Sequence, residues 1–298
     1  YIMKSLSDYI RKYGIDGYRV DTVKHTEENV WKKFEEICQD AFAEYKANNP
    51  TKILDHNKFF LLGEVYGYSI NDGQQYNFPD KTVNYFENGF DALINFDLRS
   101  TQKESNQTVF DRYNDILQNK MKGKSVMSYI TSQDDGSPFD KDRQNPWDAG
   151  TRLLLAPGIS QIYYGDETAR PLEVEGVDGD ANLRSNMNWE DIKPNSETES
   201  LLNHYQKLGQ FRRDHPAVGA GNQTDLQNSP YIFTRKYKTD EVVIGLEMPI
   251  GKKTINVSSI WKDGTKIRDA YSGFSGKVVN GNLELNTTSD IVLLEKVN

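Results

Sequence analysis

Apolar residues recur at helical spacing in five stretches of the chain, and short apolar runs separate these stretches. In the first stretch Ile2, Leu6, Ile10 and Tyr13 would share one helix face, and Gly14 is a residue type that commonly ends helices. The other helical patterns cover residues 30–45, 109–117, 149–155 and 198–213. The apolar runs predict strands over residues 17–21, 59–65, 92–98, 126–130 and 162–164. Strand and helix therefore alternate through the first part of the chain.

The predicted strands end at similar intervals, about 31 to 43 residues apart. This period predicts parallel strands joined by crossover helices, which is an α/β fold. A (β/α)8 TIM barrel and an open doubly wound sheet share this order of elements. Five strands cannot close an eight-stranded barrel, so a barrel would need further strands from outside this chain.

The pattern changes near residue 219, after which short β-patterns follow one another without helices. They cover residues 231–237, 242–248, 254–260 and 291–297. Residues 278–283 predict a hairpin, because the pair Asn280-Gly281 suits a type I′ turn. We therefore predict a partial α/β domain over residues 1–218 and a small antiparallel β-sandwich over residues 219–298.

Composition and charge exclude several classes of function. The chain has 44 acidic and 36 basic residues and a net charge of -8. Nucleic-acid binding requires a clustered basic face, which this balance does not favour. No stretch approaches the roughly 18 to 20 apolar residues that span a bilayer. The single cysteine, Cys38, cannot form an internal disulfide and lies in a helical pattern, so we expect a buried thiol.

Acidic residues stand at the ends of three predicted strands. Alternation along the first strand places Arg19 and Asp21 on one face, where the guanidinium would keep the carboxylate ionised. Glu64 lies inside an apolar strand, where burial beside an ionised Asp21 should raise its pKa. Asp134 follows the strand over residues 126–130. Each residue alone also has a structural explanation: an Arg–Asp pair, a glutamate satisfied by another arginine, or a helix cap.

Taken together, the three carboxylates are more informative. The carboxyl ends of parallel strands meet at one rim, which is where barrel enzymes place their active sites. Retaining glycosidases need two carboxyl groups about 5–5.5 Å apart on either side of the scissile bond. The pattern therefore favours a glycosidase site at this rim.

Four segments, in order and at suitable spacing, resemble motifs of the α-amylase superfamily of glycoside hydrolases. They are Gly17–His25, similar to the nucleophile motif, Leu62–Val65, similar to the acid/base motif, Tyr129–Asp134, similar to the motif of the transition-state-stabilising aspartate, and Pro157–Glu167, similar to the segment around the eighth strand. The likeness covers essentially the whole chain. It implies barrel strands four to eight followed by the C-terminal β domain, with the N-terminal half of the barrel missing from this chain.

The resemblance also implies roles for individual residues. Asp21 would be the nucleophile, Glu64 the acid/base and Asp134 the residue that binds the distorted sugar ring. Arg19 would orient Asp21.

Further residues of the resembling motifs are expected to bind substrate. Lys24 and His25 match positions that contact sugar, and the backbone carbonyl of His25 matches a frequent Ca²⁺ ligand. Arg184 lies in a segment that resembles one with a site-facing arginine. The family usually has histidine where this chain has Gln133, whose amide can donate a hydrogen bond but cannot carry a positive charge.

Aromatic side chains near strand ends are candidates for stacking on the apolar faces of sugars. They are Tyr66, Tyr68, Trp147 and Tyr163. Ordinary packing in loops or in the core is the alternative for each of them.

The implied function is retaining endo-hydrolysis of α-1,4-glucosidic bonds in starch, maltodextrin or a related α-glucan. A cyclomaltodextrinase, an α-glucosidase or a transglycosylase would use the same three carboxylates. A non-catalytic glucan-binding relative and an unrelated open-sheet protein are the remaining alternatives. Because starch polymers do not cross membranes, a polymer-degrading enzyme is expected to be secreted, periplasmic or at the cell surface.

Overall fold

A computed structural model describes residues 1–297, which fall into two compact units. One unit comprises Tyr1–Leu98 and Asn119–Tyr129, and the other comprises Arg99–Gln118 and the chain from Ile130 onward. No helix within residues 1–297 is both long enough and apolar enough to cross a bilayer.

The first unit is built on four parallel strands. Its helices and strands are α1 (Ile2–Tyr13), β1 (Gly17–Val20), α2 (Glu28–Asn48), β2 (Phe60–Gly63), β3 (Tyr76–Asn77), β4 (Thr82–Val83), β5 (Ala92–Asn95) and β6 (Ser125–Ser128). Strands β1, β2, β5 and β6 pair in that order and in parallel. The short strands β3 and β4 form an antiparallel pair between β2 and β5. Each of the four parallel strands thus lies beside the next parallel strand of the chain, so their carboxyl ends form one edge of the sheet.

The two faces of β1 differ as the alternation predicts. The Tyr18 ring stacks on Phe34 of α2 at 6.1 Å, and its hydroxyl donates to the carbonyl of Leu6 in α1 at 2.9 Å. Helix α1 ends where expected, at Gly14, which adopts a left-handed conformation with φ 69°. Tyr18 therefore fixes β1 to both helices and leaves Arg19 on the opposite face.

Gly63, at the end of β2, has a packing reason to be glycine. A Cβ atom at this position would lie 2.8 Å from the Phe90 ring and 3.0 Å from Leu93 of β5. The absence of a side chain lets β2 approach β5 closely just before Glu64.

The second unit begins with helices and ends in two antiparallel sheets. Its elements are α3 (Asn106–Gln118), α4 (Pro146–Leu155), β7 (Ile159–Ser160), α5 (Glu197–Asp214), α6 (Ala217–Ala220), β8 (Asn222–Asn228), β9 (Tyr231–Tyr237), β10 (Asp240–Leu246), β11 (Gly251–Asn256), β12 (Lys266–Asp269), β13 (Ser275–Lys277), β14 (Asn282–Thr287) and β15 (Val292–Lys296). One sheet has six strands in the order β13-β12-β15-β10-β9-β8, and β11 pairs with β14. Val243 and Val292 of the large sheet share a buried core with Ile255 and Leu285 of the small one.

The sequence-based predictions agree with most of these elements and miss some. The predicted hairpin is confirmed, since Val279 bridges Asn282 across Asn280 and Gly281, both with positive φ. Strands β8, β12 and β13 were not predicted, because they are short or largely polar. The strand predicted over residues 162–164 is wrong: the structure has a two-residue strand at Ile159–Ser160 instead.

The predicted domain boundary between residues 218 and 219 stays a prediction. Every regular element described from Asn222 to Lys296 is a strand. Cys38 is buried on α2 as expected, and burial raises the pKa of its thiol to about 12.

A fully buried arginine joins the helices of the second unit to the large sheet. Arg235 of β9 donates to the carbonyl of Leu155, the last residue of α4, at 2.5 Å. It also donates to the carbonyl of Val218 in α6 at 2.6 Å. Its remaining nitrogens reach the Gln223 side chain at 2.9 and 3.1 Å. The buried charge is thus surrounded by acceptors, as a buried guanidinium requires.

His215 makes a second link between the helices and the sheet. Its Nδ1 lies 2.8 Å from Asp240 of β10 and its Nε2 lies 2.6 Å from Glu295 of β15. Both ring nitrogens face carboxylates, which favours the doubly protonated, charged imidazole. Burial alone would lower the pKa of His215, but the hydrogen bonds to Asp240 and Glu295 outweigh it and raise that pKa above its ordinary 6.5.

This link predicts a stability that depends on pH. Because the pKa of His215 is raised in the folded state, its contribution should be complete below about pH 6.5 and be lost as the pH rises through the raised value. Replacing His215 with Gln should lower the free energy of unfolding by about 1–3 kcal/mol at low pH and by less at high pH. Urea denaturation between pH 5 and 9 measures this, and parallel pH profiles for the two proteins would contradict it.

Candidate active site

One guanidinium lies between two of the predicted catalytic carboxylates. Arg19 points away from the helices, and its Nη1 contacts the carboxylate of Asp21, the first residue after β1. Its Nη2 lies 3.2 Å from Oε2 of Glu64, the first residue after β2. The parallel pairing of β1 with β2 brings these two strand ends side by side. Asp21 and Glu64 therefore meet at the same edge of the sheet and share one cation.

Glu64 is held by its backbone as well as by its side chain. Its amide donates to the Val20 carbonyl at 2.8 Å, and its carbonyl accepts from the Val23 amide at 2.9 Å. The Thr22 amide donates to Oε2 at 3.2 Å. Only 11% of the Glu64 side chain is exposed, whereas the Asp21 side chain is 61% exposed. The more exposed carboxylate is the one that bound substrate could reach more easily.

The pKa values of the two carboxyl groups move in opposite directions. The hydrogen bond from Arg19 lowers the pKa of Asp21 below its ordinary 3.8 despite partial burial. Burial raises the pKa of Glu64 above its ordinary 4.5, and the negative charge of Asp21 adds to this, although the Thr22 amide and Arg19 oppose it. One carboxyl is thus tuned to stay ionised and its neighbour to keep a proton, as the sequence analysis expected.

Lys24 and Tyr66 also come together in the first unit. The Lys24 ammonium donates to the Tyr66 carbonyl at 3.1 Å and lies 5.4 Å from the centre of the Tyr66 ring. Tyr76 of β3 completes the group, since its hydroxyl lies 3.3 Å from Lys24 Nζ and donates to the Tyr66 carbonyl at 3.0 Å. Sequence reasoning missed Tyr76, because a two-residue strand gives no periodic signal. His25 is exposed.

In the second unit, Asp134 lies between Gln133 and Arg184. Gln133 Nε2 donates to Oδ2 of Asp134 at 2.6 Å, and the Arg184 guanidinium contacts Oδ1. Arg184 Nε also donates to the Gln133 carbonyl at 3.1 Å. Arg184 stands at the end of a short 3-10 helix, Gly179–Arg184. Three predicted site residues therefore form one hydrogen-bonded group.

The other aromatic candidates for sugar stacking have different surroundings. Tyr68 is fully buried and donates to the Gly73 carbonyl at 2.6 Å, so stacking by its ring on a sugar is excluded. Tyr163 donates to the Leu183 carbonyl at 2.9 Å. Trp147 lies in the first turn of α4 and is half-buried. Tyr66 is 51% exposed, and its ring packs edge-on against Phe96.

Within residues 1–297 there is no group of three or more His, Cys, Asp or Glu side chains that could hold a metal ion. The backbone carbonyl of His25 would be a single oxygen ligand, whereas Ca²⁺ takes six to eight.

Comparisons with known proteins agree with this arrangement. The chain is 37% identical over 247 residues to the periplasmic α-amylase of Escherichia coli (strain K12), covering 82% of this chain and 34% of that enzyme. It is 24% identical over 275 residues to a cyclomaltodextrinase of Thermoanaerobacter pseudethanolicus, covering 87% of this chain and 42% of that enzyme. No protein-family model matches the chain.

A solved structure shares the fold. The α-amylase of Geobacillus thermoleovorans, solved in complex with acarbose, superposes with a TM-score of 0.67 at 20% identity, covering 99% of this chain and 63% of that one. The chain thus spans about a third to two thirds of the length of these relatives. Its relatives define a class of carbohydrate-cleaving enzymes. The chain is homologous to amylases and cyclomaltodextrinases, which are enzymes of the α-amylase superfamily of glycoside hydrolases.

The carboxyl pair predicts a measurable coupling. Replacing Asp21 with Asn should lower the pKa of Glu64, because it removes a neighbouring negative charge. A ¹³C NMR titration of labelled glutamate carboxyls measures this, with the exposed Asp40 of α2 replaced by Asn as the control. An unchanged or higher pKa in the Asp21→Asn protein would rule out the coupling.

Proposed function

We propose that this chain carries the catalytic carboxylates of an enzyme that hydrolyses α-1,4-glucosidic bonds with retention of configuration. The observation that carries the proposal is the Arg19 guanidinium shared by Asp21 and Glu64, with the pKa of the first lowered and that of the second raised. A retaining glycosidase needs this difference, with an ionised nucleophile beside a protonated acid.

In the proposed mechanism Asp21 attacks the anomeric carbon while Glu64 gives its proton to the departing glycosidic oxygen. The products of this step are a covalent glucosyl-enzyme and a released saccharide, whose departing oxygen is now a hydroxyl group. Glu64, now ionised, takes a proton from water, which then displaces Asp21 from the anomeric carbon. The opposite pKa shifts widen the pH range in which Asp21 is ionised and Glu64 is protonated.

The other site residues have supporting roles in this proposal. Arg19 orients Asp21 and keeps its carboxylate ionised. Asp134, held by Gln133 and Arg184, binds hydroxyl groups of the distorted sugar ring. Lys24, His25 and Tyr66 contact sugar, with the exposed Tyr66 ring offering an apolar face. Gln133 cannot carry a positive charge, and the family motif that this segment resembles usually has histidine there, so we expect transition-state stabilisation to be weakened but not abolished.

We further propose that the four parallel strands belong to a (β/α)8 barrel, as strands four to seven. Two observations support this: the strands pair in chain order, and their catalytic residues follow the carboxyl ends. The remaining strands of such a barrel would include three that precede β1. The proposed substrate is starch, maltodextrin or a related α-glucan. The periplasmic location named for the Escherichia coli relative supports a secreted, periplasmic or cell-surface location.

Hydrolysis and glucosyl transfer differ in what attacks the covalent intermediate. Water gives hydrolysis, whereas a sugar hydroxyl gives transglycosylation from the same three carboxylates. Because a cyclomaltodextrinase is among the relatives, a preference for small cyclic substrates is the second candidate. Product analysis with amylose, maltotriose and cyclodextrin tests the proposal: short linear products from amylose support endo-hydrolysis, and the absence of any turnover of the three substrates would refute it.

Replacing Asp21 with Asn in the intact protein should reduce kcat by at least about a thousandfold, because an amide cannot form the glycosyl ester. Asp21 is largely exposed, so folding should survive, which circular dichroism and thermal melting would check. Initial rates on maltoheptaose measure the effect, with Asp40→Asn as the matched control. Activity within tenfold of the unaltered protein would refute the role of Asp21.

Calcium binding through the His25 carbonyl stays a proposal, and no step of the mechanism depends on it. A ligand that binds only the folded state stabilises it by RT ln(1 + [L]/Kd), so the melting temperature rises with ligand concentration. We therefore expect the melting temperature in millimolar CaCl₂ to exceed that in EGTA, with MgCl₂ giving a smaller increase. Equal melting temperatures in CaCl₂ and EGTA would dismiss the calcium proposal.

A further inference from the structure

The backbone on both sides of Arg184 is held by side chains from one neighbouring segment. The carbonyl of Leu183 accepts from the Tyr163 hydroxyl at 2.9 Å and from Arg170 Nη2 at 2.9 Å. The carbonyl of Ser185 accepts from the Tyr164 hydroxyl at 2.7 Å and from Arg170 Nη1 at 3.4 Å. Each carbonyl that flanks Arg184 thus has two donors. We call Tyr163, Tyr164 and Arg170 the carbonyl clamp.

The clamp is itself firmly placed. Arg170 is only 1% exposed, and its guanidinium lies 4.3 Å from the centre of the Tyr164 ring. Gly165 makes this approach possible, because a Cβ atom there would lie 2.5 Å from Arg170 Nε. Burial raises the pKa of Tyr163 to about 12, so its hydroxyl keeps the proton that it donates.

A buried ion pair contacts the backbone of the segment that carries the clamp. Arg143 Nε donates to the Arg170 carbonyl at 2.9 Å, and Arg143 Nη2 lies 2.9 Å from the fully buried Asp166. Asp166 follows Gly165 directly in the chain. These contacts fix the short segment that carries the clamp, so that it can act as a rigid support.

The side chain that the clamp holds in place is the one that contacts Asp134. Arg184 is 55% exposed and has a long, flexible side chain, so packing around the guanidinium does little to fix it. A fixed backbone on both sides of its Cα limits where the guanidinium can go. Arg184 then occupies one oxygen of Asp134, while Gln133 occupies the other.

We propose that Tyr163, Tyr164 and Arg170 are positioning residues that act through Arg184 to aim the Asp134 carboxylate. This inference rests on the proposed function, in which Asp134 binds the distorted sugar. The clamp residues do not touch substrate in this account. Their effect on turnover passes through a single side chain, which makes it separable from a general effect on folding.

A double-mutant cycle tests this dependence in the intact protein. Replacing Tyr163 and Tyr164 with Phe removes both hydroxyl donors and keeps both rings beside Arg170. We expect kcat on maltoheptaose to fall about tenfold in the unaltered background, which corresponds to the loss of two ordinary hydrogen bonds. In an Arg184→Ala background the same double replacement should change kcat less than about twofold. Tyr237→Phe, at the exposed end of β9, is the matched control.

Equal losses in the two backgrounds would overturn the proposal, because they would mean that the hydroxyl groups act independently of Arg184. A second measurement does not need turnover. Amide hydrogen exchange over residues 182–187 should become faster in the Tyr163→Phe, Tyr164→Phe protein and stay unchanged in the Tyr237→Phe protein. Unchanged exchange in both would overturn the clamp. If the unaltered protein turns over no glucan, the proposed function fails, and exchange still decides whether the clamp exists.

Discussion

The candidate site depends on one positive charge placed between two negative ones. Without Arg19, two carboxyl groups at adjacent strand ends would repel each other. Arg19 lowers the pKa of the exposed Asp21 by direct pairing, whereas burial raises the pKa of Glu64, although the Thr22 amide and Arg19 oppose that rise. The opposite pKa shifts of two chemically similar side chains thus arise from their surroundings and not from their own chemistry.

Buried arginines in the second unit satisfy backbone carbonyls. The last carbonyls of a helix have no partner within it. At the end of α4, Arg212 donates to Leu154 and Ala156 at 3.0 and 2.9 Å, and Arg235 donates to Leu155 at 2.5 Å. Arg170 does the same for the carbonyls of Leu183 and Ser185, at the end of the short 3-10 helix. A guanidinium suits this task, because it has five donors and stays charged when buried.

The sequence could predict those parts of the site that lie in regular elements. Alternation along β1 correctly separated Tyr18 from Arg19, and the apolar strand around Glu64 correctly indicated burial and a raised pKa. The motifs also pointed to the family that the comparisons found. These successes have a common cause, since period, burial and strand direction are local properties that residue order records.

The missed features all depend on contacts between distant segments. Tyr76 reaches Lys24 from a two-residue strand, and no pattern in the chain marks it. The tyrosines at 163 and 164 have a high strand propensity, yet they lie outside any strand, and their hydroxyls bind the carbonyls of residues 183 and 185. Strand β8 is largely polar and lies at the edge of its sheet, so its hydrophobic pattern is weak.

The pairing of Gly17 with Phe60 and of Val20 with Gly63 has a consequence for how this region can change. Side chains alternate along a strand, so a slip of one residue between β1 and β2 would turn the face that carries Arg19 and Asp21 away from Glu64. A single inserted or deleted residue in either strand would therefore separate the two carboxyl groups even if the sheet still formed. Insertions in the loops beyond the strand ends carry no such penalty, which leaves those loops free to vary while the chemistry stays fixed.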